Sequence, residues 1–178
     1  MRSWFLLAAA LLPSAAAAAG HDVSLGATAV ILTNGGIYNV TSPRLGLEAA
    51  YSNELGSWRL GGGIRWAPAG QGSFPVEVFA RALLSPSLGT WRPAVGPELG
   101  LSGLPVVINP RGGLPDDLSR RHAEKLGPAY VALHAAPLRF VFQRFTASAL
   151  ELQWGTSLNQ PGSTLRLQLG LVHLGMTL

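Results

Sequence analysis

Cysteine is absent from the 178-residue chain, which rules out a disulfide scaffold and argues against thiolate metal sites and thiol catalysis. Charge is scarce: Asp, Glu, Lys and Arg make up 12% of the residues, about half the share usual in a soluble domain. The small basic excess, a formal net charge of +4, is scattered singly and forms no Lys/Arg-rich run, so a nucleic-acid partner is not expected. Beyond the first 19 residues no stretch offers about 18 uninterrupted apolar side chains, so no helical membrane anchor is expected. Motifs for chemistry are equally thin. The four histidines, His21, His122, His134 and His173, have no partner at metal-ligand spacing along the chain. Gly61-Gly62-Gly63 is followed by no helix and is no phosphate loop. No catalytic residue, metal or cofactor is expected. Asn39-Val40-Thr41 matches a glycosylation acceptor, a motif short enough to arise by chance.

What the chain does have is alternation. In the segment 57–66 the even positions read Trp58, Leu60, Gly62, Ile64, Trp66 and the odd ones Arg59, Gly61, Gly63, Arg65. A period of two puts these sets on opposite faces of a β-strand, one apolar with a Trp at each end and the other carrying arginines. Such a strand spans roughly 26 Å, or about 20 Å of height at a tilt of about 40°, close to the apolar band of an outer-membrane barrel.

About eight strands show this pattern. Their charged faces predict an interior of Arg44, Glu48, Arg59, Arg65, Glu77, Arg81, Arg92, Glu98, Glu151 and Arg166, with Tyr130 and His134. Facing lipid, each arginine would cost about 2–4 kcal/mol at mid-membrane, so these groups have reason to turn inward. Arg144 falls on the apolar phase, which predicts a bulge or a later strand start, and a slip in the last strand predicts a bulge near Val172 and His173. The links alternate in length. Longer ones occupy 33–42, 67–73, 103–127 and 155–163; short turns are expected at 53–56, 85–89 and 136–138. Long outer loops and short periplasmic turns are the habit of up-and-down barrels in outer membranes, and the order places both termini in the periplasm. Trp58, Trp91 and Tyr51 then form a lower aromatic girdle, and Trp66, Trp154 and Phe74 an upper one.

Residues 1–19 read as a secretory leader: Arg2, an apolar core from Trp4 to Leu12, a break at Pro13 and Ser14, and small residues at Ala17-Ala18-Ala19. The domain expected after it is 20–178. By strand number, leader and outward face the chain resembles the small bacterial outer-membrane β-barrels of the outer-membrane protein A and X type. Members often end on an aromatic residue, where this chain has Leu178 in phase with Leu174 and Met176. The resemblance implies an all-β, up-and-down antiparallel transmembrane barrel located in the outer membrane, with outer-membrane lipid and the barrel-assembly machinery as partners.

A barrel of about eight strands is only wide enough for its own side chains, so its interior is expected to interlock as ion pairs. The functional alternative is a narrow polar conduit or a buried proton-active site. The expected role is non-enzymatic, structural or surface-interacting, through the outer loop 103–127 and its Arg111, Asp116, Asp117, Arg120, Arg121, His122, Glu124 and Lys125. Pro115 there can open a short helix that Gly127 ends, or the loop is simply solvated. An extracellular ligand or protein is the partner such a loop would take. Two other classes stand beside this one: a lipid-modifying barrel enzyme using His122 and Ser119, and a soluble lipocalin-type barrel whose apolar faces line a cavity.

Overall fold

The computed structural model describes residues 20–34, 44–66, 76–102, 128–162 and 164–178, with the side chains at 31–34, 44 and 164 excepted. It contains nine strand segments: β1 (Gly20–Asn34), β2 (Arg44–Leu55), β3 (Trp58–Trp66), β4 (Val76–Leu84), β5 (Ala94–Ser102), β6 (Ala129–Ala136), β7 (Leu138–Phe142), β8 (Phe145–Ser157) and β9 (Thr164–Thr177). They form one antiparallel sheet in the order β6-β5-β4-β3-β2-β1-β9-β8-β7, and a further β6–β8 pairing closes it on itself. Among the described residues each stave is paired on both sides, the β7 part of its stave through the Trp91↔Phe140 bridge.

The nine segments make eight staves, because β6 and β7 lie end to end along β8. One register runs through both, from Tyr130↔Ser157 and Ala135↔Leu152 to Leu138↔Ala149 and Phe142↔Phe145. The turn expected at 136–138 is therefore not a turn. Pro137 sits within the stave, where it has no N–H to give the ladder, and its carbonyl accepts a hydrogen bond from the Trp91 indole at 2.7 Å. The chain reverses at Gln143 and Arg144, with Gln143 at φ 51°. Arg144 is off phase because it belongs to this hairpin turn and β8 starts after it. The turn expected at 53–56 likewise shifts: β2 continues to Leu55, which pairs with Trp58, and Gly56 turns the chain at φ 64°.

The slip in β9 lies one residue before its expected position. Ala27 pairs with Val172 and Thr28 with Gly170, so Leu171 is extra against β1. Leu171 is level with Leu150 in β8 and, through β8, with Pro137. Each of the three staves carries one additional residue at that level. They stay in register with one another, and the mismatch shows on the two flanks of the group: against β1, and on the β5 side, where Ala94↔Ala136 gives way to Trp91↔Phe140. Inward residues before and after the line are Ala136 and Arg139, Ser148 and Glu151, Gly170 and His173.

Polarity is inverted relative to a water-soluble barrel. Glu98, Arg65 and Glu77 are at most 1% exposed, whereas Leu60 is 43%, Ile64 51% and Trp154 64% exposed. The lipocalin-type alternative required the reverse, apolar side chains within and charges without. Among the described residues the buried apolar cluster is Leu83, Ala94 and Ala136, at the end bearing the Gly56 and Gln143 turns, called the lower end below.

Candidate functional site

The barrel interior gathers six carboxylates, Asp22, Glu48, Glu54, Glu77, Glu98 and Glu151, with six arginines, Arg59, Arg65, Arg81, Arg92, Arg139 and Arg166. Strand alternation points these side chains inward, and their pairing follows from taking charge out of water, which is tolerable only when each ion meets a counterion and further hydrogen bonds.

In the upper half Arg65 of β3 holds Glu98 of β5 through two bonds, Nη1 to Oε1 at 2.7 Å and Nη2 to Oε2 at 2.8 Å, while its Nε donates to Glu48 at 2.6 Å. The fork-to-fork geometry fits a planar guanidinium to a planar carboxylate. Tyr130 donates to Glu98 at 2.9 Å, and the Arg65 guanidinium lies 3.9 Å above the Phe79 ring. Arg166 of β9 grips Glu77 of β4 with both terminal nitrogens and stacks 4.4 Å from the Tyr130 ring. β4 and β9 are four staves apart in either direction, so this pair spans the barrel's diameter.

The lower half repeats the device. Arg139 of β7 reaches Glu54 of β2 at 2.6 Å, again across the full diameter, and Arg92 holds the same carboxylate at 2.8 Å. Arg59 bonds Asp22 at 2.7 Å and Ser52 at 2.7 Å.

Between the two layers lies a third group. Arg81 donates to Glu48 and stands 3.9 Å from Glu151. His134 approaches Arg81 at 3.2 Å and Glu151 at 3.3 Å through Nε2, and Glu98 at 3.7 Å through Nδ1. His173 Nδ1 is 3.4 Å from Glu151.

The structure thus brings together Glu48, Arg59, Arg65, Glu77, Arg81, Arg92, Glu98, Tyr130, His134, Glu151 and Arg166 on the inner face. The Arg44 side chain lies outside the described residues, as do Phe74 and the whole loop set of Arg111, Asp116, Asp117, Arg120, Arg121, His122, Glu124 and Lys125. Trp58, Trp66, Trp91, Trp154 and Tyr51 all face outward. Trp58 and Trp66 are the first and last residues of β3, whereas Tyr51 is four positions short of the end of β2.

Among the described residues, four interior ionisable side chains escape the sequence reading. Asp22 sits in the strand whose phase was obscured by small residues; Glu54 was assigned to a turn. Arg139 follows a proline that reads as a strand break, and His173 lies just past the slip in β9. Only Glu54 had a usable signal, since it keeps the inward phase of Glu48 and Ser52.

An all-β, up-and-down antiparallel barrel of eight staves, charged within and apolar without, has the architecture of the small outer-membrane barrels. The crystal structure of Neisserial surface protein A shares this fold, with a TM-score of 0.57 and 8% sequence identity over 88% of this chain and 96% of that one. The attachment invasion locus protein Ail of Yersinia pestis aligns over 91% of this chain and all of its own, at 10% identity and a TM-score of 0.49, a likeness too loose to carry an argument. No protein-family model and no curated protein matches the sequence.

Proposed function

We propose that the chain is an integral outer-membrane barrel with a plugged polar interior and a non-enzymatic, structural or surface-interacting role. The observation that carries this reading is the inverted polarity: Leu, Ile and Trp side chains cover the outside of a closed sheet while six ion-paired carboxylates occupy its middle. In water so extensive an apolar exterior would drive association; in a bilayer it meets hydrocarbon, and the closed ladder pairs the described staves' backbones with one another. Trp58 and Trp91 then anchor the lower interface, with Tyr51 above them, and Trp66 and Trp154 serve the upper one.

The plug rests on the two diametral pairs, Arg166–Glu77 and Arg139–Glu54, which cross the lumen at two heights. Export through the leader-like stretch 1–19, insertion by the barrel-assembly machinery and contact with outer-membrane lipid belong to the same reading. The part left to present a surface is the outer loop 103–127, whose charged residues suit an extracellular ligand or protein. Neisserial surface protein A, as its name states, is a surface protein, and its shared fold supports placing this chain at a cell surface.

Extraction tests the location. The chain is expected to require detergent and to migrate differently on a gel before and after boiling; recovery in an osmotic-shock fraction overturns the assignment. Grafting loop 103–127 onto a neutral scaffold and screening it against host and envelope components tests the surface role.

A further inference from the structure

The middle layer of the interior holds an arrangement that ion pairing alone does not explain. Carboxylate oxygens of Glu48 and Glu151 and a ring nitrogen of His173 all lie within 4.8 Å of one another, and all three residues are buried. His173 is poorly matched to its surroundings. Its ring is 95% or more removed from solvent, yet neither Nδ1 nor Nε2 has a hydrogen-bond partner among the described residues. The buried Ser148 hydroxyl is in the same state. Glu48, Glu151, His173 and Ser148 line one cavity, with room for about one water-sized occupant. The ring reaches this place because Gly26 and Gly170 flank it: a Cβ at Gly26 would fall 1.7 Å from His173 Cδ2.

We propose that Glu48, Glu151 and His173 form a binding site for a single divalent transition-metal ion of the zinc class. Two carboxylates and an imidazole are a donor set such ions accept, and tetrahedral zinc with bonds of about 2.0–2.2 Å sets its ligand atoms roughly 3.3 Å apart. The 3.4 Å between His173 Nδ1 and Glu151 Oε2 is close to that spacing. His134 Nε2, 3.3 Å from the same oxygen, lies outside the three-residue group and faces Arg81, so the fourth position falls to water.

The cavity already contains competing cations. Arg81 bonds Glu48 and approaches Glu151, and Arg59 and Arg139 also line the space. An incoming ion must displace the Arg81 guanidinium from the two carboxylates. The guanidinium already rests 4.5 Å from the Phe79 ring, a contact that does not depend on its bond to Glu48. Metal and Arg81 therefore exclude each other, and this sets the site apart from adventitious binding at a surface histidine.

The test is Co2+ titration of the full chain folded in detergent, followed by visible absorption and by metal content per chain, with Zn2+ as competitor. One Co2+ per chain is expected, with the intense visible band of a four-coordinate ion, displaced by Zn2+. His173→Phe keeps the ring's shape and is expected to abolish the band; Glu151→Gln, a second variant should the first fail to fold, is expected to weaken binding at least about tenfold. Arg81→Met is expected to tighten it by about tenfold or more. No uptake by the unsubstituted chain overturns the proposal whatever Arg81→Met does, and so does uptake that survives both His173→Phe and Glu151→Gln in folded protein.

Discussion

Leu60→Arg puts a guanidinium on the outside of β3, two residues from Gly62 at the strand's centre and 43% exposed in the unsubstituted protein. The membrane reading and a soluble reading assign it different costs. In water, replacing an exposed leucine away from special features changes stability by no more than about 0.5 kcal/mol. In a bilayer, two residues at about 3.3 Å each and a tilt of about 40° place position 60 roughly 5 Å from the middle of the strand. The cost there lies near the low end of the mid-membrane range, about 2 kcal/mol. That is about a thirtyfold shift in the folding equilibrium. The assay is reversible urea unfolding in lipid vesicles, read by the gel mobility of unboiled samples, with Ser87→Arg in the exposed lower turn as reference. Ile64→Arg, on the other side of the centre, is expected to behave alike. Should both strand variants fall within about 0.5 kcal/mol of Ser87→Arg, the outward face does not meet hydrocarbon and the location argued from it fails.

Glu98→Gln removes the charge that Arg65 grips with two bonds, leaving it Glu48, and is expected to cost about 1.5–3 kcal/mol, the worth of hydrogen bonds to a charged group. Adding Arg65→Met should cost less than the sum of the single changes, with a coupling of about 1–3 kcal/mol in a denaturation cycle. In a planar bilayer the chain is expected to show no large steady conductance, because Arg166–Glu77 and Arg139–Glu54 obstruct the lumen; wide open-channel steps contradict the plug. Gln143→Gly is expected to stabilise the barrel by about 1 kcal/mol, by removing a side chain from a φ of 51°; unchanged or lower stability in the same urea assay speaks against strain at that turn.

The segment 57–66 shows how far local pattern reaches. Alternation with period two is a property of neighbours in the chain, and a strand must send consecutive side chains to opposite faces. Arg59 and Arg65 were therefore assigned to the inside, and Trp58 and Trp66 to the outside, without knowledge of any partner strand. The same logic located Glu48, Glu77, Glu98, Glu151 and Arg166. It failed where a residue's meaning depends on something distant. Pro137 is locally a breaker; it becomes a mid-stave residue because β6 and β7 hold one register along β8 on either side of it, and its carbonyl accepts from the Trp91 indole 46 positions earlier. Arg139 was lost with it.

Periodicity along one chain thus assigns a face to the side chains of the regular strands and requires the sheet to hide its charges. Which charges meet was settled only by closure of the barrel. Arg166 finds Glu77 across 89 positions, and Glu48 and Glu151 converge on His173 from three separate staves. Those encounters depend on stave order, stagger and the shared line of extra residues at Pro137, Leu150 and Leu171, relations between strands that no single strand encodes.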